Sequence, residues 1–226
     1  MKLVVFDLDQ TLIDIIPLHD EATKTIFCEF YGVEARLTEI DFSGKSLTEN
    51  FNELGRLKGI PRDRLKEDAP RLLQEYEAIF AGSVPKDAGK YVLPGALELL
   101  AALGETNNYN VLYTGDSKGI VDTVFRATEL GKYLKFAVYG TDAPTRAGML
   151  RLAIEKASRA TGKRFVGKDV AVIGDSLRDI QAGREVEALT IAVATGFHPK
   201  AMLQQSNPDF LLDNLKDTKA VLQAIG

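Results

Sequence analysis

Leu3-Val4-Val5-Phe6-Asp7-Leu8-Asp9-Gln10-Thr11 is the stretch on which the fold turns. Its four apolar residues form an unbroken run, which suits a short strand buried on both faces of a parallel sheet, and the run stops on an acid. Comparable runs recur at 110–113, 136–139, 170–173, 190–194 and 210–212. Between them lie helical patterns at 94–103, 117–130, 145–160, 176–186 and 216–225. Strand and helix alternate from residue 93 to the end, which predicts an α/β fold: a doubly wound, Rossmann-like parallel sheet.

The segment after the first run breaks this alternation and reads as helix only. Pro17 opens one helix and Gly32 closes it. Ser46-Leu47-Thr48-Glu49 is a capping box that opens a second, ended near Gly59. Pro61 starts a third stretch running to Gly82, with a break expected at Pro70. The expected division is therefore an α/β core of residues 1–14 and 91–226 with an all-helical insertion at 15–90, placed to act as a lid.

In open α/β sheets, ligands bind outside the carboxyl ends of the strands. Three runs end in polar residues there: Asp7-Leu8-Asp9, Thr114-Gly115-Asp116-Ser117 and Gly174-Asp175-Ser176-Leu177-Arg178-Asp179. Arg146 begins the helix after the third run. Asp7, Asp9, Asp175 and Asp179 in one crevice cannot all stay ionised without a counter-charge. A divalent cation supplies it, and an all-oxygen ligand set favours magnesium, manganese or calcium over zinc. Magnesium shares its shell with phosphate readily. Thr114 and Arg146 can donate to phosphate oxygens, and the chain from Gly115 into the helix opening at Ser117 adds backbone N–H groups.

The acids, in this order and spacing, resemble the haloacid dehalogenase superfamily, most of all its phosphatases, and the resemblance covers essentially the whole chain. Asp7, Asp9 and Thr11 match its Asp-x-Asp-x-Thr motif; Thr114 matches its second motif; Gly174, Asp175 and Asp179 match its Gly-Asp-x-x-x-Asp motif. The usual lysine of the third motif is missing, since no lysine lies between Lys135 and Lys156, and Arg146 occupies its place. Arginine keeps the charge but changes its geometry. The resemblance implies Asp7 as nucleophile, Asp9 as acid and base with a carbonyl on the metal, Asp175 as metal ligand, and Asp179 holding metal-bound water or orienting its neighbours. It also implies Mg2+, a helical cap, and a substrate contact from Lys45 in a cap loop. The expected reaction is hydrolysis of a small phosphorylated metabolite, as in a phosphoglycolate phosphatase.

Other motifs fit these residues less well or share the same scaffold. A calcium loop starting at Asp7 needs Gly and Glu where Leu12 and Leu18 stand. Gly44-Lys45-Ser46 lacks the first glycine of a phosphate-binding loop, since Glu39 stands there. Asp116 reads as a helix-opening cap, Cys28 as inert core, and His19 and His198 as structural or surface residues, with His19 able to face the cap crevice. A dehalogenase does not need the acid at Asp9. A phosphomutase shares the same core, and an inactive phosphate-binding module shares the scaffold.

Bulk properties agree. With 226 residues and 45% hydrophobic content the chain can bury a core, and its net charge of −4 does not favour nucleic acid or an anionic membrane as partner. One cysteine excludes an internal disulfide, so a cytoplasmic setting is expected. No run approaches the ~20 apolar residues of a membrane helix. Oligomeric state leaves no signature in the sequence.

Overall fold

A computed structural model describes all 226 residues. Six parallel strands, β1 (Leu3–Phe6), β2 (Tyr109–Tyr113), β3 (Ala137–Val138), β4 (Val170–Gly174), β5 (Leu189–Val193) and β6 (Phe210–Leu212), form one sheet in the order β3-β2-β1-β4-β5-β6. The chain runs outward from β1 to β3 and then crosses back to β4, so β1 sits at the point where the winding reverses. Successive residues face opposite sides, as the pleat requires. Val4 and Phe6 join one apolar cluster with Leu112 and Ile173, whereas Leu3 and Val5 join another with Val111, Tyr113 and Val172. Burial on both faces is why the strands read as continuous apolar runs.

Helices α1 (Ile16–Tyr31), α2 (Leu47–Leu57) and α3 (Arg62–Ser83) all fall between β1 and β2. Their buried residues, among them Phe27, Leu54 and Tyr76, continue the first cluster beyond the sheet edge. Ser46 caps α2 with the reciprocal bonds its sequence predicts. The two connections to this helical unit lie side by side: Ile13 bridges Val92, Asp14 N–H donates to the Tyr91 carbonyl at 2.8 Å, and Leu93 N–H donates to the Leu12 carbonyl at 2.9 Å. Across the sheet edge, Arg178 donates to Asp41 at 3.0 Å and to the Ser43 carbonyl at 2.6 Å, and the rings of Phe42 and Phe197 are 5.2 Å apart.

The remaining helices, α4 (Ala96–Gly104), α5 (Lys118–Ala127), α6 (Arg146–Thr161), α7 (Leu177–Glu185), α8 (Lys200–Gln205) and α9 (Thr218–Ile225), connect or follow the later strands. No helix is long and apolar enough to cross a membrane. Two expectations need correction. Pro70 does not break α3; it lies exposed inside it, where water can satisfy the carbonyl that the missing N–H leaves free. Cys28 is exposed on α1, not core, because its neighbours Ile26 and Phe27 take the buried stripe. The short helix α8 gave no periodic signal, as its six residues bury only Leu203.

Pro70→Ala should restore a helical hydrogen bond and raise stability by roughly 1–2 kcal/mol, on the order of 3–6 °C in Tm for a chain this size. Thermal denaturation checks this, and a lower Tm would show that Pro70 fits α3 without cost.

Candidate active site

Sheet register is what assembles the site. Phe6 is level with Leu112 on β2 and with Ile173 on β4. The residues that follow, Asp7, Tyr113-Thr114 and Gly174-Asp175, therefore leave three adjacent strands at one edge. Asp7, Thr114 and Asp175 are all 5% exposed or less. Thr114 Oγ1 accepts from the Asp116 N–H at 3.1 Å, which leaves its own proton available to a ligand.

Arg146, at the start of α6, reaches into this edge with its guanidinium 3.9 Å from the centre of the Tyr113 ring. It donates to Asp7 Oδ1, and through Nε and Nη2 to Asp179 Oδ1 at 2.8 and 2.7 Å. That oxygen also accepts from the Tyr113 hydroxyl at 2.5 Å. The other oxygen of Asp179 accepts from the Ser176 N–H at 3.0 Å and its hydroxyl at 2.6 Å, in the capping box that opens α7. A carboxylate has about four lone-pair sites, and these five donors occupy them. Of the two roles expected for Asp179, orienting its neighbours is one that these bonds perform.

The electrostatics follow from burial. Burial pushes the Asp7 carboxyl up to about 6, although Arg146 pulls the other way. Asp175 is driven well above the usual range by burial and then by repulsion from Asp7 and Asp179. Burial also opposes charge on Asp179, but Arg146, Ser176 and Tyr113 outweigh it and hold that carboxyl low. One guanidinium thus balances the pocket incompletely. The Thr11 hydroxyl donates to Asp7 Oδ2 at 3.2 Å and approaches Asp175 Oδ1 at 3.4 Å, and the Ser43 hydroxyl donates to Asp175 Oδ2 at 3.2 Å. Oxygens of Asp7, Asp175 and Asp179 lie within 4.8 Å of one another, so this all-oxygen group could hold a hard divalent cation.

Asp9 stands apart from that group. Its carboxylate clusters with His19 on α1 and with Asp116, at 3.9 and 3.7 Å from His19 Nε2. Asp116 does not cap α5 as the sequence suggested: Ser117 is the N-cap residue, with no side-chain cap bond, and the 3% exposed Asp116 turns to His19. Burial, with Asp116 and Asp7 nearby, drives the Asp9 carboxyl well above its ordinary value. Burial likewise raises Asp116 and lowers His19. His19 is therefore a crevice residue. His198 instead lies 3.5 Å from Asp41 at the contact with the helical unit.

A narrow cleft of about 40 Å3 runs between both acid groups and the helical unit. Gly115 lines it, and its carbonyl accepts from the Leu47 N–H at 3.1 Å. A Cβ at Gly115 would overlap the Lys45 carbonyl oxygen, and one at Gly196 would overlap the Asp175 carboxylate. Lys45 also lines the cleft, but its ammonium donates to Glu53 at 2.5 Å.

A family model described as a haloacid dehalogenase-like hydrolase matches residues 1–187. The chain belongs to the haloacid dehalogenase-like hydrolase family. The pyrophosphatase PpaX of Listeria monocytogenes is 27% identical over 97% of this chain and 95% of its own length. The phosphoglycolate phosphatase of Salmonella choleraesuis is 24% identical over 99% and 92%. In fold, this haloacid dehalogenase-like hydrolase is similar to the β-phosphoglucomutase of Clostridium difficile, with a TM-score of 0.77 over 100% and 97% of the two chains at 13% identity. Residues the sequence reading undervalued are His19, Asp116, Ser43 and Tyr113. Of these, only Asp116 and Tyr113 carried a local signal, as neighbours of Thr114 at the end of β2.

Arg146→Met keeps an apolar stem beside Tyr113 but strands the acids. In chelator it should cost about 3–5 kcal/mol of stability, and millimolar Mg2+ should recover part of that loss. A Tm in chelator equal to that of the parent protein would remove Arg146 as the counter-ion.

Proposed function

We propose that this hydrolase is a magnesium-dependent phosphatase that cleaves a small organic phosphate monoester through an aspartyl-phosphate on Asp7. The observation that carries the reading is the separation of two acids two residues apart: Asp7 sits with Arg146 and Asp175, and Asp9 with His19 and Asp116. One is placed to accept a phosphoryl group, while burial and the neighbouring Asp116 and Asp7 favour the protonated form of the other.

The carboxylates of Asp7 and Asp175 and the main-chain carbonyl of Asp9 would hold the magnesium ion. Bound there, it neutralises charge between the carboxylates and the transferring group. A carboxylate oxygen of Asp7 bonds to phosphorus as the ester P–O bond breaks, and Asp9 gives its proton to the departing alkoxide. Asp9, now a base, takes a proton from water as the water oxygen attacks phosphorus. The bond from Asp7 to phosphorus then breaks, which releases inorganic phosphate and restores the carboxylate. The Thr114 hydroxyl, the Gly115 backbone and the unpartnered Nη1 of Arg146 serve the phosphoryl oxygens. Asp179 positions Arg146.

In this reading residues 1–14 and 91–226 are the catalytic core, and residues 15–90 are a cap that pivots on the paired tethers and excludes water. The contacts of Asp41, Ser43 and Leu47 with the core correspond to a closed state. The substrate is a small phosphorylated metabolite, and the phosphoglycolate phosphatase and pyrophosphatase relatives define the first compounds to try. A lone, exposed cysteine fits a reducing compartment such as the cytoplasm. The structural likeness to a β-phosphoglucomutase supports a second reading as a sugar phosphomutase; isomerisation of a sugar 1-phosphate without net phosphate release would favour it.

Phosphate release from an aryl phosphate should require Mg2+ and fall to background in Asp7→Asn with folding intact. Arg146→Ala should lower turnover about 10²–10³-fold. An Asp7→Asn protein with full activity would end this mechanism.

A further inference from the structure

Six buried polar atoms without a hydrogen-bond partner belong to residues lining the single cleft: Asp9 Oδ1, Gln10 Oε1, His19 Nε2, Asn50 Oδ1, Asp116 Oδ2 and Arg146 Nη1. Four of them are oxygens, those of Asp9, Gln10, Asn50 and Asp116. The His19 Nδ1 lies 2.8 Å from the Tyr76 hydroxyl, a contact that either ring tautomer makes. In either one His19 Nε2 can pair with a hydroxyl, which both donates and accepts. Asn50, on α2, is 4% exposed, and His19, on α1, is 2% exposed. Both project from the helical unit and line the cleft.

The charges around that end of the cleft lead to the same class of ligand. Only two cations line it. Arg146 is committed to Asp7 and Asp179, and the Lys45 ammonium is neutralised by Glu53. Asp9 and Asp116 stand beside His19. A carboxylate on the leaving group would meet neutral amides and acids, with no free side-chain cation to offset its desolvation. Hydroxyl groups would instead satisfy the orphaned acceptors, which are costly to leave unpaired in a buried cleft.

We propose that Asn50 and His19 are specificity-determining residues that select a small, neutral, hydroxyl-bearing alcohol as leaving group and reject a carboxylate-bearing one. The assignment rests on the phosphatase reading above, and it sets this chain against phosphoglycolate as preferred substrate. Asn50 is the cleaner of the two to test, because His19 also touches Asp9.

The test uses the full-length, Mg2+-loaded protein and two matched pairs of esters: 2-hydroxyethyl phosphate against phosphoglycolate, and glycerol 3-phosphate against 3-phosphoglycerate. In each pair, kcat/KM should favour the hydroxyl member at least tenfold. Asn50→Leu should shrink that ratio severalfold, mainly through KM for the hydroxyl member, with folding checked by Tm. A wild-type preference for the carboxylate esters, with an aryl phosphate still hydrolysed, overturns the assignment alone. So does an Asn50→Leu protein that folds and keeps the parent ratio. Failure to hydrolyse any ester, the aryl phosphate included, overturns the phosphatase reading beneath it.

Discussion

A single buried guanidinium, Arg146, holds the carboxylates of Asp7 and Asp179 at the end of a parallel sheet, and most of the site is arranged around it. Tyr113 supports its face, Ser176 fixes Asp179, and Asp179 fixes the guanidinium in turn. The planar fork of arginine can serve two acids at once, which an ammonium does less well. That geometry lets one side chain bridge Asp7 and Asp179. Yet one positive charge cannot balance Asp7, Asp175 and Asp179, and burial, with repulsion among the acids, raises the carboxyls of Asp7 and Asp175. That imbalance sits where a hard cation would relieve it.

The helical unit completes the site. Ser43 reaches Asp175, Leu47 rests on Gly115, and His19 meets Asp9 and Asp116. That approach depends on Gly115, where a Cβ would overlap the Lys45 carbonyl oxygen. The same unit supplies Asn50 and His19 to the cleft.

Much of this was legible in the chain itself. Apolar runs ending in Asp7, Thr114 and Asp175 marked three strand ends, and burial on both faces made those runs stand out. The Ser46 capping box marked α2 for the same reason of local physics. What escaped was tertiary. Asp116 has the sequence context of a helix cap, and only the packing of α1 brings His19 to it. Pro70 breaks the local pattern but not the helix, because its side faces water. Cys28 sits in an apolar stretch whose buried stripe misses it. The commitment of the Lys45 ammonium to Glu53 depends on the helical winding of α2, which a loop-based reading of Lys45 does not include.

Two acidic groups compete for any divalent ion: Asp7 with Asp175 and Asp179, and Asp9 with His19 and Asp116. The most direct test of the account is a crystal structure of the protein soaked in Mn2+, with the ion located by its anomalous signal. The account predicts one ion bound by the carboxylates of Asp7 and Asp175, at roughly the 2.0–2.2 Å typical of hard-cation–oxygen bonds. An ion seated on His19 and Asp116, with the Asp7–Asp175 pair left without one, would contradict it.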